Sequence, residues 1–523
     1  MNNDQMKKLG FRNVGNIYWN LPTGALYEEI VKRREGLVAH KGPIVVRTGH
    51  HMGRSREDKY VVRDPANPSH ILWGKTNKPF EEDHFHSLYN RLKAYLQGKD
   101  IFVQDCYAGA DPKYRVPIRV ISENAWHSLY ARNLFIQSTD PEELTHHEPE
   151  CTIIDVPRFH AFPEFDGTHS ETFVIVNFGE KMILIGGTSY AGEIKRSSFT
   201  ILNYAFLSEG NILPMHCAVN TGCDDENDVA VFFGLSGTGK TALALVEGRR
   251  LIGNDEHGWS DDGVFNFEGG CYSRVAGLTI EKNPALQACV ERFGTVLENV
   301  TIDMETRRID LSDTALTENT RAAYHITAIE NAVASGRGAH PKHLFMLTRD
   351  VSGVMPPVAC LNTEQALYFY LLGYTSEIEE GRVVPTFNPC FGAPFLALSP
   401  LVYARILGEK IARHHVQCWM INTGWTGGPL GEGHRIGIEH SRAIVRAVLS
   451  GKLDSVPMRK EPVFGFEVPE VCEGLPPEFL DPRQLWKDRG LYDTRARELV
   501  GQFKEYFDHF SEEVPIEIRR AGP

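Results

Sequence analysis

Residues 229–245, VAVFFGLSGTGKTALAL, constrain the fold of this chain more than any other stretch. An apolar run at 229–233 reads as a buried strand, and the small residues after 241 tolerate a helix. Between them stand Gly234, four further residues, and Gly239-Lys240-Thr241, the spacing of a phosphate-binding loop. Glycines there let backbone N–H groups turn inward around phosphate oxygens. Lys240 adds a point charge, and the Thr241 hydroxyl can bind a magnesium ion. The expected nucleotide-binding set is therefore Gly234, Leu235, Ser236, Gly237, Thr238, Gly239, Lys240 and Thr241.

A chain of 523 residues exceeds one ordinary core, so two or three domains are expected. A boundary near 210 gives an N-terminal domain, 1–210, and a C-terminal nucleotide domain, 211–523. Before it, helical patterns at 25–34 and 85–96 mix with strand-like runs at 43–46, 172–176 and 181–185. The segment SYAGEIKRSSFTILNYAF then reads as a polar loop leading into an amphipathic helix. After 264, short strands alternate with helices at 363–372 and 400–411, and a tail helix is expected at 494–510. The class is α/β with mixed α+β character.

The net charge of −13, with no basic block, argues against nucleic acid or an anionic membrane as partner. No signal-like or bilayer-length apolar run is present, so a soluble cytoplasmic protein is expected. Ten cysteines without C-x-x-C spacing fit reduced thiols. The histidine pairs at 50–51, 146–147 and 414–415, and His84 with His86, read as surface residues rather than metal ligands.

The stretch RRLIGNDEHGWSDDG carries Asp255 and Glu256 at a strand end, where an acidic group commonly meets the nucleotide's metal; Asp255 as a plain turn residue is the alternative. In LPMHCAVN, His216 sits at the foot of the strand that feeds the loop, either as a ligand or as a satisfied core histidine. Arg54, Lys195, Arg196, Arg321 and Arg435 recur in unusual settings. Arginine forks suit carboxylates and phosphates, although each alone also reads as a surface cation. The loop 422–433, NTGWTGGPLGEG, is a lid or a long connection.

Taken in order, YWNLPTGALYEE, GRSREDKYVV, VQDCYAGADPKYR, GGTSYAGEIKR, GLSGTGKT, DEHGW, GVFNFEGGCY, ENTRAAY and NTGWTGG resemble the ATP-dependent phosphoenolpyruvate carboxykinases over nearly the whole chain. The resemblance implies a two-domain carboxykinase fold with the site in the cleft. It also implies decarboxylation of oxaloacetate, with transfer of the γ-phosphate of ATP to the enolate. By position, Arg54 and Arg321 become clamps on the oxaloacetate and phosphoryl groups, and Tyr190 lies near the carbon dioxide and pyruvate site. Lys195, Arg196, Ser236 and Lys240 complete the catalytic set. Thr241 holds magnesium, while His216 and Asp255 are ligands of a second ion, usually manganese. Arg274, Glu298, Arg435 and Ser441 fall at nucleotide-contacting positions. The implied partners are small molecules only, and the implied assembly is a monomer or small homo-oligomer.

Departures from that pattern cluster at the site. Arg196 stands where the family has a manganese-binding lysine, and a guanidinium has no free lone pair to give a metal. Asn254 replaces the first of two aspartates, Arg274 a phosphate-facing lysine, and Met52 and Arg56 a threonine and a proline. Together they remove one carboxylate and one amine while keeping positive charge. The alternatives to an ordinary carboxykinase are therefore a kinase of a related small acid that does not decarboxylate, and a non-catalytic ATP-binding relative.

Overall fold

The computed structural model describes residues 2–64, 71–208, 212–278, 284–379, 382–510 and 513–523. The chain divides into two compact units, neither of them contiguous. The first comprises Met1–Ser208, Asn266–Gly336 and Pro394–Leu398; the second comprises Glu209–Phe265, Arg337–Ala393 and Ser399–Pro523. The first switch lies beside the expected boundary near 210, but the expected single piece 211–523 gives up two segments to the first unit. Strand pairing is the reason. Val296–Glu298 pairs parallel with Ile44–Val46 and antiparallel with Arg321–His325, joining positions some 250 residues apart. A boundary drawn from local composition does not register such partners.

In the first unit an eight-stranded mixed sheet runs in the order Ile17–Trp19, Ile101–Ala108, Val116–Ser122, Cys151–Val156, Met182–Gly186, Phe173–Asn177, Lys59–Arg63, Lys78–Glu81. Its central strands are buried on both faces, so they read as continuous Val/Ile/Leu runs rather than as alternating ones. A second sheet of five strands carries Gly270–Arg274, Arg321–His325, Val296–Glu298, Ile44–Val46 and Gly36–Val38.

The helix Gly192–Ser208 differs from the amphipathic expectation, because almost every residue from Gly192 to Asn203 is buried. Its polar side chains satisfy themselves on the helix backbone. Ser197 Oγ donates to the Glu193 carbonyl and Ser198 Oγ to the Lys195 carbonyl, both at 2.6 Å, and Asn203 donates to the Phe199 carbonyl at 2.8 Å. Such back-bonding lets serine and asparagine enter a core without an orphan donor.

The second unit is built on parallel strands Val229–Gly234, Pro341–Thr348 and Gln417–Asn422, flanked by antiparallel Leu213–Gly222 and Val358–Leu361. Helix Thr363–Leu372 matches its expected bounds, and its ends explain why. Asn362 and Gln365 form a capping box, and Gly373 at φ 53° closes the last turn. Helix Pro400–His414 outruns its expected end, and the tail helix spans Arg489–Phe507. Among the described residues no helix is long and apolar enough to cross a membrane. All ten cysteines are free thiols and eight of them are buried. His147 corrects the surface reading: it is buried, bonded to the Ile118 carbonyl at 3.2 Å and packed edge-on against Tyr107.

Candidate functional site

The sequence-predicted residues fall into two groups, one on each unit. In the second unit the phosphate loop leaves the strand Val229–Gly234. Gly234 permits the tight exit, since a Cβ there would meet Thr238 Oγ1 at 2.5 Å and the Leu347 side chain at 2.9 Å. Thr238 closes the turn, its hydroxyl donating to the Leu235 carbonyl at 2.7 Å. Ser236 and Gly237 remain exposed at the tip.

Lys240, 9 % exposed, extends from the first residue of helix Lys240–Ala244. Its Nζ lies 2.9 Å from His216 Nε2 and 3.3 Å from Asp255 Oδ1. Strand pairing assembles this trio. Cys217, next to His216, pairs with Phe233 at the loop's entry, while His216 itself faces Glu256 across the strand Glu256–Trp259. His216 Nδ1 lies 2.6 Å from the buried Glu256 Oε1, which turns Nε2 toward Lys240. His216 is thus on the strand beside the one that feeds the loop. The Thr241 hydroxyl donates to Asn254 Oδ1 at 2.6 Å.

These donors suit divalent cations. An imidazole nitrogen braced from behind by a carboxylate is a common metal-ligand arrangement, and a second carboxylate stands beside it. Among the described residues, His216, Asp255 and Glu256 form the one cluster of metal-ligating side chains. The Lys240 ammonium already stands as a cation where His216 Nε2 and Asp255 Oδ1 converge. Thr241, its proton given to Asn254, keeps its oxygen lone pairs for a hard cation.

Two expected nucleotide residues of this unit differ in character. Arg435 is exposed, with its Cζ 5.8 Å from the Trp425 ring centroid. Ser441 is 1 % exposed on the helix Ile438–Leu449, and its Oγ lacks a protein partner among the described residues. The 422–433 segment forms part of a hairpin in which Trp425–Thr426 pairs with His434–Arg435. Its base is held by Trp425 N–H donating to the Asp350 carbonyl at 2.7 Å.

In the first unit the five-stranded sheet places Arg321 directly opposite Arg274 on one side and Glu298 on the other. Glu298 lies inside this sheet. It is 1 % exposed, and its oxygens accept from the Tyr272 hydroxyl at 2.5 Å and the Ala191 amide at 3.3 Å. It anchors the turn that carries Tyr190, which is buried beside Tyr272 with ring centroids 6.2 Å apart. Arg274 is exposed and bound to Glu318 through its carbonyl at 2.8 Å and its carboxylate at 3.3 Å.

Arg321 Nε donates to Asn319 Oδ1 at 2.9 Å, and Asn319 donates in turn to the Met52 carbonyl at 2.8 Å. Asn319 therefore couples Arg321 to the loop bearing the exposed Arg54. That loop is fixed again where Ser55 N–H donates to Glu193 Oε1 at 2.9 Å. Lys195 forms a buried ion pair with Glu268 at 2.8 Å. Arg196 is half-buried with its Cζ 5.9 Å from the Tyr190 ring, and its Nη1 has no hydrogen-bond partner among the described residues. Tyr272 and Asn319 lie within the quoted stretches GVFNFEGGCY and ENTRAAY, but their roles escaped the sequence reading because each depends on a partner distant in the chain, Glu298 and Met52.

Burial pushes the Glu298 carboxyl up to about 7, against the pull of the Tyr272 hydrogen bond and the Arg321 charge. An unfolded glutamate ionises near 4.5, so between 4.5 and about 7 the unfolded chain binds fewer protons and stability falls as pH rises. The span corresponds to about 3 kcal/mol. Glu298→Gln is expected to remove this share of the slope in urea unfolding between pH 5 and 7.5. Glu35, also pushed up to about 7 by burial, retains its own share. An unchanged slope would show that Glu298 is already ionised in the folded protein.

Comparison with known proteins covers both units. A family model described as phosphoenolpyruvate carboxykinase matches residues 15–478. A phosphoenolpyruvate carboxykinase (ATP) of Geotalea uraniireducens is 53 % identical over 518 residues, covering 98 % of this chain and 97 % of that protein. One from Moorella thermoacetica is 52 % identical over 522 residues, covering 99 % and 98 %. Another, from Salinibacter ruber, is 48 % identical over 512 residues, covering 97 % and 95 %. Matches that span the phosphate loop, the His216–Asp255 pair and the Arg321 sheet together place the chain in the phosphoenolpyruvate carboxykinase family.

Proposed function

We propose that the chain decarboxylates oxaloacetate and phosphorylates the resulting enolate with ATP, giving phosphoenolpyruvate, carbon dioxide and ADP. The observation that carries this reading is the Lys240 ammonium held between His216 and Asp255 beside a complete phosphate loop. In the reaction the bond to the departing carboxylate breaks and its electron pair enters the enolate. The enolate oxygen then bonds to the γ-phosphorus as the bond to ADP breaks. Both steps gather negative charge, so fixed positive charge is the main catalytic requirement.

In the second unit, the loop amides and Lys240 bind the triphosphate. Thr241 would hold a magnesium ion, and His216 with Asp255 a manganese ion. Such ions supply Lewis-acid neutralisation of the phosphoryl and enolate oxygens. In the first unit, Arg54 and Arg321 act as clamps on the oxaloacetate and phosphoryl groups, with Tyr190 near the carbon dioxide and pyruvate site. An enolate that meets water is protonated to pyruvate, so the site has to exclude water during turnover.

Purified protein with ATP and oxaloacetate, with magnesium alone and with added manganese, should form phosphoenolpyruvate and carbon dioxide together. ATP binding with neither product would overturn the reading in favour of a kinase acting on another small acid.

Among the described residues the Nη1 of Arg196 has no hydrogen-bond partner, and by family position Arg196 stands where a lysine would be. We assign Arg196 to direct neutralisation of enolate charge in place of an amine ligand. Arg196→Lys, which regains a lone pair on deprotonation, is expected to tighten the manganese dependence of turnover by about tenfold. A manganese titration identical to wild type would remove Arg196 from that role.

A further inference from the structure

Arg349 follows the strand Pro341–Thr348, the parallel neighbour of the strand that enters the phosphate loop. In that register Gly234 lies opposite Leu347, so the residue two beyond Leu347 comes level with the loop tip. C-terminal ends of parallel strands are where such sheets present ligand-binding groups. The side chain keeps this placement. A Cβ built on Gly237 would stand 3.3 Å from Arg349 Nη1.

The other edge of the guanidinium is clamped. Nε and Nη2 both donate to the Ser376 carbonyl, at 3.2 and 2.9 Å, and Ser376 N–H donates back to the Arg349 carbonyl at 2.9 Å. Ser376 is itself fixed, its hydroxyl accepting from Val351 N–H at 3.1 Å. Nη1 alone is left without a protein acceptor among the described residues, and it is the nitrogen beside the loop. Burial lowers the Arg349 guanidinium from the usual arginine range and the charge of Arg435 lowers it further, with Glu377 opposing. Two arginines that repel each other beside a phosphate loop are stabilised by an anion set between them.

We propose that Arg349 is a nucleotide-binding residue whose Nη1 donates to the phosphate chain held at the Ser236-Gly237 tip. The assignment rests on the reading of this loop as the ATP site, and it adds a fixed guanidinium to the loop amides and Lys240. Arg349 meets the β- and γ-phosphates and leaves the nucleoside monophosphate portion untouched.

The test is calorimetric titration of the full-length protein and its Arg349→Met variant with ATP, ADP and AMP. Circular dichroism of the nucleotide-free variant confirms that it is folded. Methionine keeps an apolar stem and removes the charge. Loss of a charge-assisted hydrogen bond is expected to weaken ATP and ADP binding about tenfold or more, with AMP binding unchanged. Arg349→Lys should recover part of the ATP affinity. Equal losses for ATP and AMP would assign Arg349 to holding the Ser376 strand and overturn the proposal, as would unchanged affinity for all three. Failure of the wild-type protein to bind ATP would instead remove the nucleotide reading of the loop, and this assignment with it.

Discussion

Replacement of Lys240 by alanine is expected to lower turnover about 10³-fold or more, a loss of about 4 kcal/mol of transition-state stabilisation. The expectation follows from where the ammonium sits. Its Nζ is 2.9 Å from His216 Nε2 and 3.3 Å from Asp255 Oδ1, and the side chain is nearly enclosed. An ion held by His216 and Asp255 would displace the ammonium from between them, leaving its charge for the phosphates at the loop. Low local dielectric strengthens its effect on a developing anion. Lys240→Ala leaves the imidazole and the carboxylate in place, and divalent ions should still bind to them in a titration without substrate. Retained ion binding with lost turnover would assign the defect to the missing charge. Turnover at the wild-type rate would remove the phosphate-loop assignment.

What could be read from the sequence was what lies close together in it. The loop from Gly234 to Thr241 declares itself because eight consecutive residues carry its geometry. Asp255 and Glu256 were visible at a strand end for the same reason. The bracing of His216 by Glu256 was not visible, because it depends on the antiparallel register that sets those two residues opposite each other. The engagement of Glu298 with Tyr272 and the Ala191 amide was not visible either, because it too depends on the pairing of distant strands. Arg349 carries no motif at all, and only its strand's alignment with the loop-bearing strand brings it to Gly237. The helix Gly192–Ser208 was misjudged because hydroxyls that bond back to their own helix look, in sequence, like a solvated face.

The second large effect concerns Lys195. Its Nζ pairs with Glu268 Oε1 at 2.8 Å, with the two residues only 4 % and 3 % exposed. Removing one member of a buried pair strands the other charge in low dielectric, which costs about 3–5 kcal/mol. Glu268→Ala is therefore expected to lower the urea midpoint by a large fraction of a total stability of about 5–15 kcal/mol. Replacing both members, as in Lys195→Met with Glu268→Leu, removes the desolvation penalty together with the attraction and should recover most of that loss. The double variant also separates structure from chemistry. Lys195 adjoins Arg196, whose Cζ lies 5.9 Å from the Tyr190 ring, so under the proposed reaction its charge would add to the field at the substrate as well as to folding. A stable double variant that turns over at the wild-type rate would make the pair purely structural. A stable double variant with turnover reduced about 10²-fold would mean that the buried ammonium acts on the reacting anion, with Glu268 holding it there.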